Sequence, residues 1–234
     1  MKQLLVELKR GTELSVQVAD ILECWNLGQF KQVLLHIYSG REEAEYTADV
    51  AKSLSDLIPE ADILGTMSAG EIMDGHVIKK GVLIGATFFE STDVQVLRFD
   101  NVKGNEADVG KRIREKLDSI PDIKAAEIVF PGTEFETKSL FDEIDSCLRE
   151  IVIFGGYSGG HAMNAPSHYV FDKSGIAYDS VMVTTFAGRD FHVDADKVIG
   201  WEPLGLSYKV TKADGQSRAL GRRRLFCRAS AYVR

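Results

Sequence analysis

The sequence predicts an α/β fold: two pseudo-repeated α-β-α-β-β-β halves that form mixed sheets with helices on their outer faces. Two observations carry this. The same order of elements runs twice, over about 11–99 and 105–194, and both copies stop at a Ser-x-Gly turn. Ser68 and Gly70 of ADILGTMSAG match Ser158 and Gly160 of IVIFGGYSGG at an offset of 90 residues. A repeat this long exceeds a solenoid unit and reads as two half-domains sharing one core. Helices alternating with buried strands, followed by consecutive strands, favour a layered α-β-β-α sandwich, with one continuous sheet as the competing arrangement. The seam between the halves is the place to look for a ligand.

Gln3–Leu8 has a strand pattern, and Leu14, Val18, Ile21 and Trp25 recur at helical spacing. Val33–Tyr38 is a short apolar run suited to a strand covered on both faces. Ser39 and Glu42 fit a capping box for a helix whose buried stripe is Thr47, Ala51, Leu54 and Ile58, ended by Pro59. Ile63–Met67, Val82–Phe89 and Val94–Phe99 follow as strands. In the second copy Asn105 caps a helix lined by Val109, Ile113 and Leu117, and Ala126–Phe130 is a strand. Leu140, Ile144 and Leu148 line the next helix, and Ile151–Phe154 is a strand. Tyr169–Phe171 and Ala177–Phe186 form a hairpin closed by Asp172-Lys173-Ser174-Gly175, and Phe191–Val193 is the last strand.

The longest strongly apolar stretch, Gly81–Phe89, is nine residues, too short for a membrane helix. The first ten residues lack the apolar region of a leader, so the expected location is the cytoplasm. The first 215 residues hold 22 basic and 35 acidic side chains, a net charge of −13 that argues against nucleic-acid partners. Residues 216–234 reverse this, with six arginines and no acid. Cys24, Cys147 and Cys227 form no pair, and Cys24 and Cys147 read as buried thiols. The five histidines show no metal-ligand spacing, and His36 reads as a satisfied core histidine. No metal or cofactor is expected.

Gly156-Tyr157-Ser158-Gly159-Gly160 matches the G-x-S-x-G nucleophile elbow, with His161, His168 or His192 as base and Asp172, Asp179 or Asp190 as orienting acid. The elbow needs a helix directly after the serine, whereas His161–Pro166 is loop-like. A glycine-rich turn at a strand end explains both copies. The same turns can hold a small ligand: backbone N–H groups at Ser68-Ala69-Gly70 or Ser158-Gly159-Gly160 suit a carboxylate, and Glu71 suits an ammonium. The expected ligand-binding set is Ser68, Ala69, Gly70, Glu71, Gly156, Ser158, Gly159 and Gly160. Neither copy carries a nucleotide-binding glycine pattern.

ADILGTMSAGEI (61–72), KKGVLIGATF (79–88), IFGGYSGG (153–160) and GWEPLGLSYKVTKADG (200–215) together resemble the FIST sensory domain, over roughly Lys31 to Gly215. The resemblance implies an intracellular, non-enzymatic module that binds small ligands, amino acids being the usual suggestion. It also implies signalling outputs such as histidine kinases, chemotaxis-type domains or cyclic-di-GMP enzymes. On this reading residues 1–199 form the sensing domain and 200–215 begin a C-terminal half-domain. Residues 216–234 are an atypical arginine-rich tail, expected to reflect a truncation or frame slip rather than a basic arm. A serine hydrolase using Ser158 is the alternative function.

Overall fold

Strand pairing in the computed structural model builds two principal sheets of matching order. It describes residues 1–40, 43–132, 135–146, 150–160 and 168–196, and three short strands beyond them at 210–214, 217–220 and 223–224. Strands β1 (Lys2–Glu7), β2 (Gln32–Ser39), β3 (Asp62–Met67) and β6 (Val82–Phe89) lie in the order β1-β6-β2-β3. Strands β7 (Asp93–Asp100), β8 (Ile123–Phe130), β9 (Val152–Tyr157) and β12 (Ser180–Ala187) lie in the order β7-β12-β8-β9. In each sheet the third and fourth strands are parallel and the others antiparallel.

Two short hairpins follow β3 and β9. The first, β4 (Glu71–Met73) with β5 (His76–Ile78), pairs with neither large sheet. The second, β10 (Val170–Asp172) with β11 (Gly175–Ala177), leaves its own half and joins β3 antiparallel, extending the first sheet to six strands.

The sheets stack face to face. Leu34, Leu64, Phe89, Val170 and Ala177 of one meet Val94, Ala125, Val129, Met182 and Phe186 of the other in one buried cluster. Helices α2 (Ala19–Asn26) and α3 (Ala44–Leu57) cover the outer face of the first sheet through Ile21, Cys24, Val50, Ala51 and Leu54. Helices α4 (Glu106–Ser119) and α5 (Thr137–Ile144) cover the second through Val109, Ile113, Leu117, Leu140 and Ile144. The fold is the layered α-β-β-α sandwich, each fully buried aliphatic side chain contributing about 1.5–3 kcal/mol. Cys24 is a buried free thiol, as its helical position suggests.

Several local expectations change. The Leu14–Trp25 pattern is split at Val18 between α1 (Leu14–Gln17) and α2. Ser39 is the last residue of β2 rather than a cap, and its hydroxyl bonds Thr47 at 2.8 Å. Val94–Phe99 starts the second sheet by pairing with β12, the position that β1 takes against β6 in the first. Phe191–Val193 is not a strand. The second-copy hairpin turns at Lys173-Ser174 within β10–β11, and β12 is a separate strand of the other sheet.

Residues 1–195 form one compact unit and 196–234 another. The second holds β13 (Val210–Asp214), β14 (Ser217–Leu220) and β15 (Arg223–Arg224) in an antiparallel sheet. Cys147, His161, Cys227 and the Gly200–Gly205 motif lie outside the described residues.

Candidate functional site

The two Ser-x-Gly corners meet. β3 ends at Met67, whose carbonyl accepts a 3.0 Å hydrogen bond from the Gly159 N–H in the corner after β9. A side chain on Gly159 would start 3.7 Å from the Ala69 nitrogen, so Ala69 and Gly159 face each other across the join. The strands are held where they end: Ser68 N–H donates to Ser39 O at 2.8 Å and Ser158 N–H to Phe130 O at 2.7 Å.

In the first corner the Ser68 hydroxyl accepts from Gly70 N–H at 3.1 Å and donates to Glu71 Oε1 at 2.6 Å. Glu71, a carboxyl residue, is only 4% exposed. Gly40 and Gly81 make space for it, since a Cβ on Gly40 would stand 3.2 Å from Glu71 Oε1. Beneath lies a buried hydroxyl chain, in which Thr47 Oγ1 also reaches the Tyr169 phenol at 3.0 Å. Burial drives the Tyr169 phenol above its ordinary pKa, and the Thr47 and Ser39 hydrogen bonds oppose this.

In the second corner Ser158 is buried and, among the described residues, its Oγ has no hydrogen-bond partner. The same holds for Nε2 of His168. The His168 ring lies between two glycines: Cβ atoms there would stand 3.4 Å from its Nδ1 on Gly132 and 3.2 Å from its Nε2 on Gly160. A Cβ on Gly160 would also come within 2.9 Å of the Met67 methyl, so glycine there lets the corners close. Gly156 is an exposed β9 residue with open space where its Cβ would be.

The N–H groups of Ser68, Gly70, Ser158 and Gly159 are all used within the fold. The corners also bring up three side chains: the Ser158 hydroxyl, the His168 imidazole and the Glu71 carboxyl. His168, one of the three histidines that the elbow pattern offers, comes beside the second corner because Gly132 and Gly160 leave room for its ring.

The elements of a triad are not assembled among the described residues. Asp172 Oδ1 accepts from Ser174 N–H at 2.8 Å, and Asp179 Oδ1 accepts from the Val102 and Lys103 N–H groups at 3.1 and 2.8 Å. Both acids hold turns. His36 Nε2 bonds Glu127 Oε2 at 2.8 Å, the satisfied histidine its strand pattern suggests. No group of three or more His, Cys, Asp or Glu among the described residues is placed to hold a metal ion. No helix among them is long and apolar enough to cross a membrane. A separate cavity of about 460 Å³ lies between Leu8–Leu14 and α3, lined in part by Arg10, Thr12, Tyr46 and Asp49.

A doubled sandwich whose halves join through paired strand-end corners defines a structural class, and the sequence places the chain within it. The FIST N domain model matches residues 33–219, so the chain belongs to the FIST N domain family, a family of sensory domains. No curated protein matches the chain.

Proposed function

We propose that the protein senses a small zwitterionic ligand, an amino acid being the simplest, at the join of the two corners. The observation that carries this is the pair of buried polar atoms, Ser158 Oγ and His168 Nε2, without partners among the described residues beside the Met67–Gly159 hydrogen bond. A buried hydroxyl or imidazole nitrogen without a partner costs stability. A carboxylate accepting from both would remove that cost, and Glu71 supplies the opposite charge for an ammonium. Ser68, Ala69 and Gly70 would contribute from one corner and Ser158, Gly159 and Gly160 from the other, with Gly156 preceding the second. A ligand bridging the corners couples the two half-domains, which is how occupancy reaches a signalling output such as a histidine kinase, a chemotaxis-type domain or a cyclic-di-GMP enzyme in the cytoplasm.

The test is a thermal-shift screen of the full chain against the amino acids and small carboxylates. A ligand specific to the folded state raises the melting temperature, by mass action equivalent to about 2.7 kcal/mol at a hundredfold excess over Kd. Glu71→Gln should abolish the response to amino acids and leave part of that to simple carboxylates, whereas Ser158→Ala should weaken both. A folded protein that responds to none of these ligands refutes the reading. Labelling of Ser158 by a fluorophosphonate would instead favour the hydrolase.

A further inference from the structure

The two stacked sheets have four outer edges, at β1, β11, β7 and β9. Exposed edges template pairing with other chains, and proteins blunt them with charges or by keeping them short. Three of the four are treated this way. β1 carries Lys2 and Glu7, β7 carries Asp93, Arg98 and Asp100, and β11 is three residues long. β9 is six residues, Val152–Tyr157, within an uncharged run from Ile151 to Gly160, and exposes Phe154 and Tyr157.

The other half of the molecule shows what such an edge accepts. β3 occupies in the first sheet the place of β9 in the second, and its outer edge is covered by β10, antiparallel, with Val170 opposite Thr66 and Phe171 opposite Gly65. Gly155 and Gly156 stand at the registers of Gly65 and Thr66, since Ile37 pairs with Gly65 as Ile128 pairs with Gly155. Among the described residues nothing pairs with that side of β9.

We infer that β9 is a homodimer edge, pairing antiparallel with β9 of a second copy so that the four-stranded sheet continues across a two-fold axis. The strand is complementary to itself. With the axis at Gly155, Phe154 lies opposite Gly156 of the copy on one face, and Tyr157 opposite Ile153 on the other. Each bulky side chain then meets a small or aliphatic one, and such cross-strand pairs are the stabilising unit of a sheet. Because the run is neutral, two copies meet without like charges at the contact, even though each chain carries a net −7. The contact is isologous and closes at two, as a two-fold interface must.

Sedimentation equilibrium of the full chain over a concentration series tests this. The expected result is a mass rising from that of the 25.9 kDa chain toward twice that value and no further. Phe154→Lys, which puts two ammonium groups beside the axis, should hold the mass at one chain with the circular dichroism spectrum unchanged. Leu5→Lys, on the exposed face of β1, should leave the dimer intact. A wild-type chain that stays monomeric throughout the series overturns the proposal. So does a dimer that survives Phe154→Lys or is lost with Leu5→Lys. Should Phe154→Lys fail to fold, Gly156→Lys takes its place, since a side chain there starts in open space and its charge falls opposite Phe154 of the copy.

Discussion

His36 and Glu127 hydrogen-bond to each other at 2.8 Å while occupying the same position in two different sheets. In the first sheet Leu5, Gly85, His36 and Leu64 lie in register; in the second Val96, Thr184, Glu127 and Phe154 do. The two residues thus mark the axis relating the halves, and duplication has put a base on one copy and an acid on the other. Burial, then the nearby Glu127 charge, raises the pKa of the Tyr38 phenol.

Removing one member of that pair should therefore cost more than removing both. His36→Leu leaves Glu127 half-desolvated without its partner, at about 1–3 kcal/mol. The double variant His36→Leu/Glu127→Leu replaces the pair by apolar contact, and should be more stable than the weaker single variant. Urea unfolding of the four proteins closes the double-mutant cycle. Additive losses would show that the pair contributes nothing across the seam.

Gly65 is required by the hairpin that crosses between the halves. A Cβ there would lie 2.1–2.4 Å from three atoms of the Phe171 ring, which is fully buried. Gly65→Ala should cost about 1–3 kcal/mol through overpacking. Phe171→Leu in the Gly65→Ala background should recover part of the loss. Gly156→Ala, where a methyl meets open space, should stay within about 0.5 kcal/mol of wild type. Thermal melts of these variants read the contrast directly.

Acid sensitivity should reside partly at the end of β7. The Ser180 hydroxyl, then the Arg98 guanidinium, hold the Asp100 carboxyl below its ordinary pKa. Its folded value lies below its unfolded value, so the native state resists protonation. The stability this confers is complete above the unfolded value, about 4, and is lost as pH falls through the folded value. Ser180→Ala should flatten the fall in melting temperature below about pH 4 and lower the plateau above it. An unchanged acid limb would show that the contact does not stabilise the ionised form.

The sandwich was legible because its evidence is periodic: apolar strands, amphipathic helices and a turn that recurs at a fixed offset. The exchange between halves was not. Val94–Phe99 reads as the last strand of the first copy yet pairs with Ser180–Phe186 in the second sheet, because strand order depends on sheet edges that no local pattern encodes. For the same reason the Val170–Asp172 strand reads as part of its own half, although Phe171 fits over Gly65 of the other. The two corners could be found from their glycines. That the N–H groups of Ser68, Gly70, Ser158 and Gly159 would bond within the fold, while Ser158 Oγ and His168 Nε2 stay without partners among the described residues, depends on long-range contacts such as Gly159 to Met67.

Ser158 and Ser68, alike in sequence, should respond in opposite directions to the same substitution. The Ser68 hydroxyl makes two hydrogen bonds, to Gly70 N–H and Glu71, so Ser68→Ala removes both and leaves a buried carboxylate less satisfied. A loss of about 1–3 kcal/mol follows. The Ser158 hydroxyl is buried and has no partner among the described residues, so Ser158→Ala removes a desolvated group without breaking a bond there. Its melting temperature should equal or exceed that of wild type in the absence of ligand. Binding sites commonly give up stability in this way, since the group that awaits a ligand is a liability until the ligand arrives. Differential scanning calorimetry of the two variants decides the point. A clear loss of stability in Ser158→Ala would mean that the hydroxyl serves the fold, and would remove the main physical support for a ligand at the join.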